Sequence, residues 1–113
     1  LYQEYLGVEV PNDREGCLQD SHWSGGSFGY FPSYALGNAY GAQMLHNMEQ
    51  EFDVFGQVAR GSLSGVTGWL REHVHQYGQL LEPAAIVKNA CGEFDPHYYL
   101  DYLTRKYTEL YNL

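Results

Sequence analysis

Residues 32–52, Pro-Ser-Tyr-Ala-Leu-Gly-Asn-Ala-Tyr-Gly-Ala-Gln-Met-Leu-His-Asn-Met-Glu-Gln-Glu-Phe, decide the fold class. Leu36, Tyr40, Met44, Met48 and Phe52 recur every fourth position, which lines one face of an α-helix. Pro32 suits the first turn, where its fixed φ is already helical and its missing N–H has no partner to lose. Gly37 and Gly41 lie on a neighbouring face. Each costs a helix about 1 kcal/mol relative to Ala, so the pair implies that another backbone packs closely there. The stretch is too polar for the helix pairing that such glycines drive in membranes.

Outward from this helix, the same grammar repeats. Asp53 opens a short helix that runs to Arg60 and stops at Gly61. Ser62 or Ser64 can cap the next one, which reaches Tyr77 with Val66, Leu70, Val74 and Tyr77 inward. Gly78 ends it. Glu82-Pro83 opens another, ended by Gly92. Asp95-Pro96 is the clearest start signal in the chain, a capping carboxylate followed by Pro at the first helical position. The last helix carries Tyr99, Leu103, Tyr107, Leu110 and Tyr111 on one side, with Arg105 and Lys106 toward the end where the helix dipole favours cations. At the other end of the chain, Leu1–Leu6 reads as the tail of a helix stopped by Gly7. Leu6–Val10 holds the one hint of strand alternation. Residues 8–31 read as a motif-bearing loop, dense in Asp, Asn, Ser and Gly between Asn12 and Gly29. The expected fold is all-α, an irregular helical array over residues 1–113. It divides into a helix end (1–7), the loop (8–31) and helices (32–113).

Composition narrows the function. Six Lys and Arg against 14 Asp and Glu give a net charge of −8. Phosphate binding needs clustered cations, so no nucleic acid is expected as a partner, nor an anionic membrane surface. No apolar run approaches the ~20 residues of a membrane helix, and Leu1–Glu4 shows neither the basic start nor the apolar run expected of a signal peptide. The lack of an initiator Met favours a start inside a longer protein. Tyr supplies 11 residues, a surplus that suits half-buried walls and interfaces or simply thickens a small core. Cys17 and Cys91 have no metal-type spacing. Free thiols in a cytoplasmic protein are the expected state, with a disulfide between them the alternative.

No complete catalytic site is written in these residues. The five histidines include no pair at the helical i, i+4 spacing of a zinc site, and His73 and His75 point to different sides of a helix. No metal ligand set is therefore expected. Ser24, Ser27 and Ser33 lie near Asp20 and His22, but no GxSxG elbow accompanies them. Gly25-Gly26 has no following Lys, as a phosphate loop requires. What remains is Gly16-Cys17-Leu18-Gln19-Asp20-Ser21-His22-Trp23. Gln19 can bond a peptide backbone, Asp20 can fix the tautomer of His22 or of another imidazole, and Trp23 can floor a pocket. The competing reading is a loop tied down by its own polar side chains.

That segment matches GxxQDxHW, a signature of the carboxypeptidase Taq family. The following Ser24-Gly25-Gly26-Ser27-Phe28-Gly29-Tyr30-Phe31-Pro32-Ser33-Tyr34 closely resembles the family's HWSxGSFGYFPTY stretch. The resemblance continues through Leu36-Gly37-Asn38 and Gln43, and more weakly to Tyr111. Ser33 stands where Thr is common and Gly41 where Ala is common, both mild departures. The resemblance implies the C-terminal piece of a cytoplasmic, homodimeric, helical metallocarboxypeptidase that uses a divalent metal, usually zinc, to release single residues from peptide C-termini. The family's HExxH, its further Glu ligand and its HPF and DxRxT motifs are absent, and are expected N-terminal to Leu1. There the HExxH glutamate would act as general base on a metal-bound water. This piece alone is then expected to bind no metal and to be inactive. Its implied partners are the N-terminal catalytic region, a second copy and the substrate's C-terminus. Gln19, Asp20, His22 and Trp23 are implied to line or support the substrate groove. Tyr30 or Tyr34 is implied as donor to the developing oxyanion, with packing the alternative for either. The rival reading of the whole chain is a stand-alone helical interaction module derived from such an enzyme.

Overall fold

A computed structural model describes residues 1–113. All regular structure is helical. Within the single segment expected from sequence, the backbone groups into two units, Leu1–Tyr34 and Ala35–Leu113.

The first unit opens with α1 (Tyr2–Leu6), closed by Gly7 at φ 65°, the left-handed stop its sequence requires. Residues 7–10 are irregular, so the strand hint there is not realised. The expected loop is in part wound into short turns. Two 3₁₀ turns, Asp13–Glu15 and Cys17–Gln19, precede α2 (Ser21–Ser24). Local side chains explain the difference. Asn12 Oδ1 accepts the Glu15 N–H at 3.1 Å, and Asp20 accepts the His22 N–H at 2.7 Å. Such Asx caps start a turn without any core beneath it. Gly16 is buried, and a Cβ there would meet Val10 Cγ1 at 2.6 Å, so only glycine fits. No hydrophobic side chain of this unit is buried.

The second unit is built on α3 (Pro32–Glu51), whose first turn lies in the first unit. It continues through α4 (Val54–Ala59), α5 (Ser64–His73), a 3₁₀ turn His75–Tyr77, α6 (Pro83–Cys91) and α7 (His97–Tyr111). Met48, Val54 and Trp69 are buried together, with Met44, Phe52, Val66, Leu70 and Val74 packed against them. The indole N–H of Trp69 donates to Glu51 Oε1 at 2.8 Å, which satisfies its polar edge. Gln43 is wholly buried. It donates to the carbonyls of Cys91 (3.2 Å) and Glu93 (2.9 Å) and accepts the Asp95 N–H (3.1 Å), pinning the α6–α7 connection to α3.

Several expectations change in detail. α5 stops at His73 rather than Tyr77, because its last stretch tightens into the 3₁₀ turn before Gly78. Neither Ser62 nor Ser64 caps α5. Their hydroxyls pair with each other at 3.0 Å, and Gln57 Oε1 instead accepts the Gly65 N–H at 3.2 Å. α7 begins one residue later than expected: Pro96 takes the capping position and its carbonyl accepts the Leu100 N–H, while Asp95, just before it, accepts the His97 N–H at 2.9 Å. Gly37 and Gly41 have no neighbour within 4 Å of an added Cβ, so within this chain no backbone exploits their smallness.

Candidate substrate-groove site

The candidate residues all lie in the first unit. Asp20, at the start of α2, directs one carboxylate oxygen to both the backbone N–H of His22 (2.7 Å) and its ring Nδ1 (3.1 Å). An ionised carboxylate only accepts, so this contact favours the tautomer of the neutral imidazole that carries its proton on Nδ1. Of the two imidazoles considered for Asp20, its own neighbour His22 or one from elsewhere, the contact present in this chain is with His22. The carbonyl of His22 accepts the Ser27 N–H at 2.7 Å, tying the imidazole to the glycine turn that follows. Gly26 and Gly29 sit at φ 79° and 75°, conformations that bring the chain back toward α2 before α3 begins.

This return places three aromatic rings around His22. Its ring centroid lies 5.4 Å from Tyr30, 5.8 Å from Phe31 and 5.9 Å from Tyr34. Tyr30 and Tyr34 meet edge to face at 5.6 Å. Both tyrosines remain more than half exposed beside a half-buried imidazole. Phe31 is the member that motif reading did not single out. Its signal was present in the aromatic run Tyr30-Phe31 and Tyr34, which a helix start gathers onto one side.

The other two candidates stand apart from this cluster. Trp23 packs on Phe28 at 5.7 Å and is 67% exposed, so the pair forms an open apolar face. The Gln19 amide donates to the Arg14 carbonyl at 2.6 Å and thereby braces the loop on itself. The Ser24 hydroxyl donates to the Ser21 carbonyl, a local bond with no nucleophilic geometry.

Elsewhere, His73 packs on Trp69 (4.5 Å) and His46 on Tyr98 (4.6 Å). His73 is thus half-buried. No three His, Cys, Asp or Glu side chains converge as a metal would need, so the donor set of a metal centre does not fit these residues. Both cysteines are free. Cys17 is exposed, while burial pushes the Cys91 thiol up. Asp95 is held below the usual carboxylate range, first by the His97 backbone N–H and then by its ring. No helix is long and apolar enough to cross a membrane.

A family model described as carboxypeptidase Taq (M32) metallopeptidase matches residues 1–107. Carboxypeptidase 1 of Bacillus subtilis is 46% identical over 99% of this chain and 23% of its own length. Thermostable carboxypeptidase 1 of Thermus thermophilus is 38% identical over 97% of this chain and 22% of its own. The M32 carboxypeptidase of Deinococcus radiodurans superimposes with a TM-score of 0.87 at 36% identity, covering 99% of this chain and 23% of that one. The chain therefore spans less than a quarter of the length of these relatives.

Proposed function

The chain belongs to the carboxypeptidase Taq (M32) metallopeptidase family, and on that premise we propose that it is the substrate-groove portion of a metal-dependent carboxypeptidase. The complete enzyme releases single residues from peptide C-termini. It is a cytoplasmic homodimer and uses zinc or another divalent cation. The metal supplies Lewis-acid activation when bound, and its ligands come from residues outside this chain. Alone, this chain is inactive.

The work of these residues is to hold and orient the peptide. Tyr30 and Tyr34 present hydroxyls at the start of α3, where one of them donates a hydrogen bond to the oxygen that gains charge during hydrolysis. Trp23 and Phe28 give an apolar wall for the substrate. Gln19 and the Asp20–His22 pair hold the wall and the tyrosines in place.

One observation carries this reading. Trp23, Phe28, Tyr30, Phe31 and Tyr34 are all at least half exposed, in a unit with no buried hydrophobic side chain. So many aromatic faces left open call for a partner surface, which the rest of the enzyme and its peptide provide. The test is release of the terminal residue from an N-blocked dipeptide in the presence of zinc. Activity is expected from the polypeptide that joins this chain to its metal-bearing portion, and none from the chain alone. Activity of the isolated chain, or full activity of the metal-bearing portion without it, contradicts the proposal.

A further inference from the structure

The rings of Tyr30, Phe31 and Tyr34 pose a physical problem. A side chain that donates to a transition state must be held close to one geometry, and packing usually does this. Here no apolar core lies beneath them. Their common neighbour is His22, whose ring contacts all three, while Tyr30–Tyr34 and Phe31–Tyr34 close the cluster. His22 is itself fixed from behind. One Asp20 oxygen binds both its backbone and its ring, and the pair is only partly exposed, at 25% for His22 and 36% for Asp20. No other charged side chain joins the ring in an ion pair.

We propose that Asp20 and His22 are a positioning pair for the substrate-facing tyrosines: the carboxylate locks the imidazole, and the imidazole sets the Tyr30 and Tyr34 rings. This rests on the groove reading above and gives the Asp-x-His part of the motif a task distinct from contact with the metal or the peptide. Because the tyrosine hydroxyl acts on the transition state, loss of its alignment lowers kcat and leaves KM nearly unchanged.

The experiment is a mutant cycle in the complete, metal-loaded enzyme. His22→Ala is expected to lower kcat on the order of tenfold, as loss of a supporting contact does, with metal content and KM held. In a Tyr30→Phe/Tyr34→Phe background the same substitution is expected to cost nothing further, since the hydroxyls it aligns are gone. Asp20→Ala is expected to behave like His22→Ala. Asp20→Asn is expected to rescue, because its amide oxygen still accepts both bonds. Asp20 is partly exposed and its variants keep the imidazole, so they test the pair even where His22→Ala disturbs folding. A His22→Ala loss that persists in full without the two hydroxyls overturns the proposal, as does a loss confined to KM or metal content. If the tyrosine double variant itself keeps wild-type kcat, the groove reading fails first, and this inference with it.

Discussion

Replacing Gln43 with Ala removes the one fully buried polar side chain and with it three hydrogen bonds to the α6–α7 connection. Each such bond contributes about 1 kcal/mol net, and the stranded Asp95 N–H and two carbonyls make the loss larger if they stay dry. The expected cost is about 3 kcal/mol, roughly a hundredfold in the unfolding equilibrium. With a urea slope of about 1.5 kcal/mol/M, the midpoint falls by about 2 M. The assay is urea unfolding of wild type and variant followed by far-ultraviolet circular dichroism. Gln43→Glu sharpens it. A carboxylate still accepts the Asp95 N–H but turns two donor bonds into repulsion against the Cys91 and Glu93 carbonyls. Burial disfavours the ionised form, so its folded-state proton affinity rises and its deficit shrinks as pH falls. A Gln43→Ala variant within about 0.5 kcal/mol of wild type, inside the range of ordinary surface changes, would refute the assignment of Gln43 as the tie between α3 and the α6–α7 connection.

Three further outcomes follow from single residues. Asp95 has a lowered folded-state affinity for protons because His97 bonds to its ionised form, so its contribution is present above the ordinary carboxylate range and fades as pH falls through its folded value; Asp95→Asn should flatten that acid-side slope in urea midpoints measured across the acid range, and an unchanged slope refutes it. Cys17 should alkylate with iodoacetamide well before Cys91, because Cys17 is exposed while burial raises the Cys91 thiol and thins its thiolate at neutral pH; peptide mass mapping of a short time course decides this. Gly16→Ala should destabilise the first unit by about 1–3 kcal/mol, since its Cβ would collide with the β-branched Val10, and a rise in proteolysis between Val8 and Trp23 reports it.

The helices were legible wherever an apolar period met a stop residue. Gly7, Gly78 and Gly92 end elements as expected, all at positive φ, while α7 opens one residue after the expected start, behind Pro96. Less visible was what depends on distant partners. Gln43 gives no local sign that its amide will meet the Cys91 and Glu93 carbonyls some fifty residues on. Trp69 lies one position off the expected inward row and still becomes the most buried ring, because its indole can donate to Glu51. The short turns around the motif were hidden for a different reason. Asn12 and Asp20 wind them by side-chain caps, which read in a sequence as loop chemistry. Within the candidate site, the Asp20–His22 bond was foreseeable from adjacency. The aromatic enclosure by Tyr30, Phe31 and Tyr34 depends on the turn through Gly26 and Gly29, which motif matching does not describe.

The central claim is that the peptide substrate lies against residues 16–34. It is tested most directly by photo-crosslinking in the complete metal-loaded enzyme, with a peptide whose C-terminal residue carries a benzophenone, followed by mass mapping of the adducts. The account expects adducts on the stretch from Trp23 to Tyr34, suppressed by excess unlabelled peptide. Competable adducts that fall only on the helices after Ala35, or that avoid this chain altogether, would contradict it.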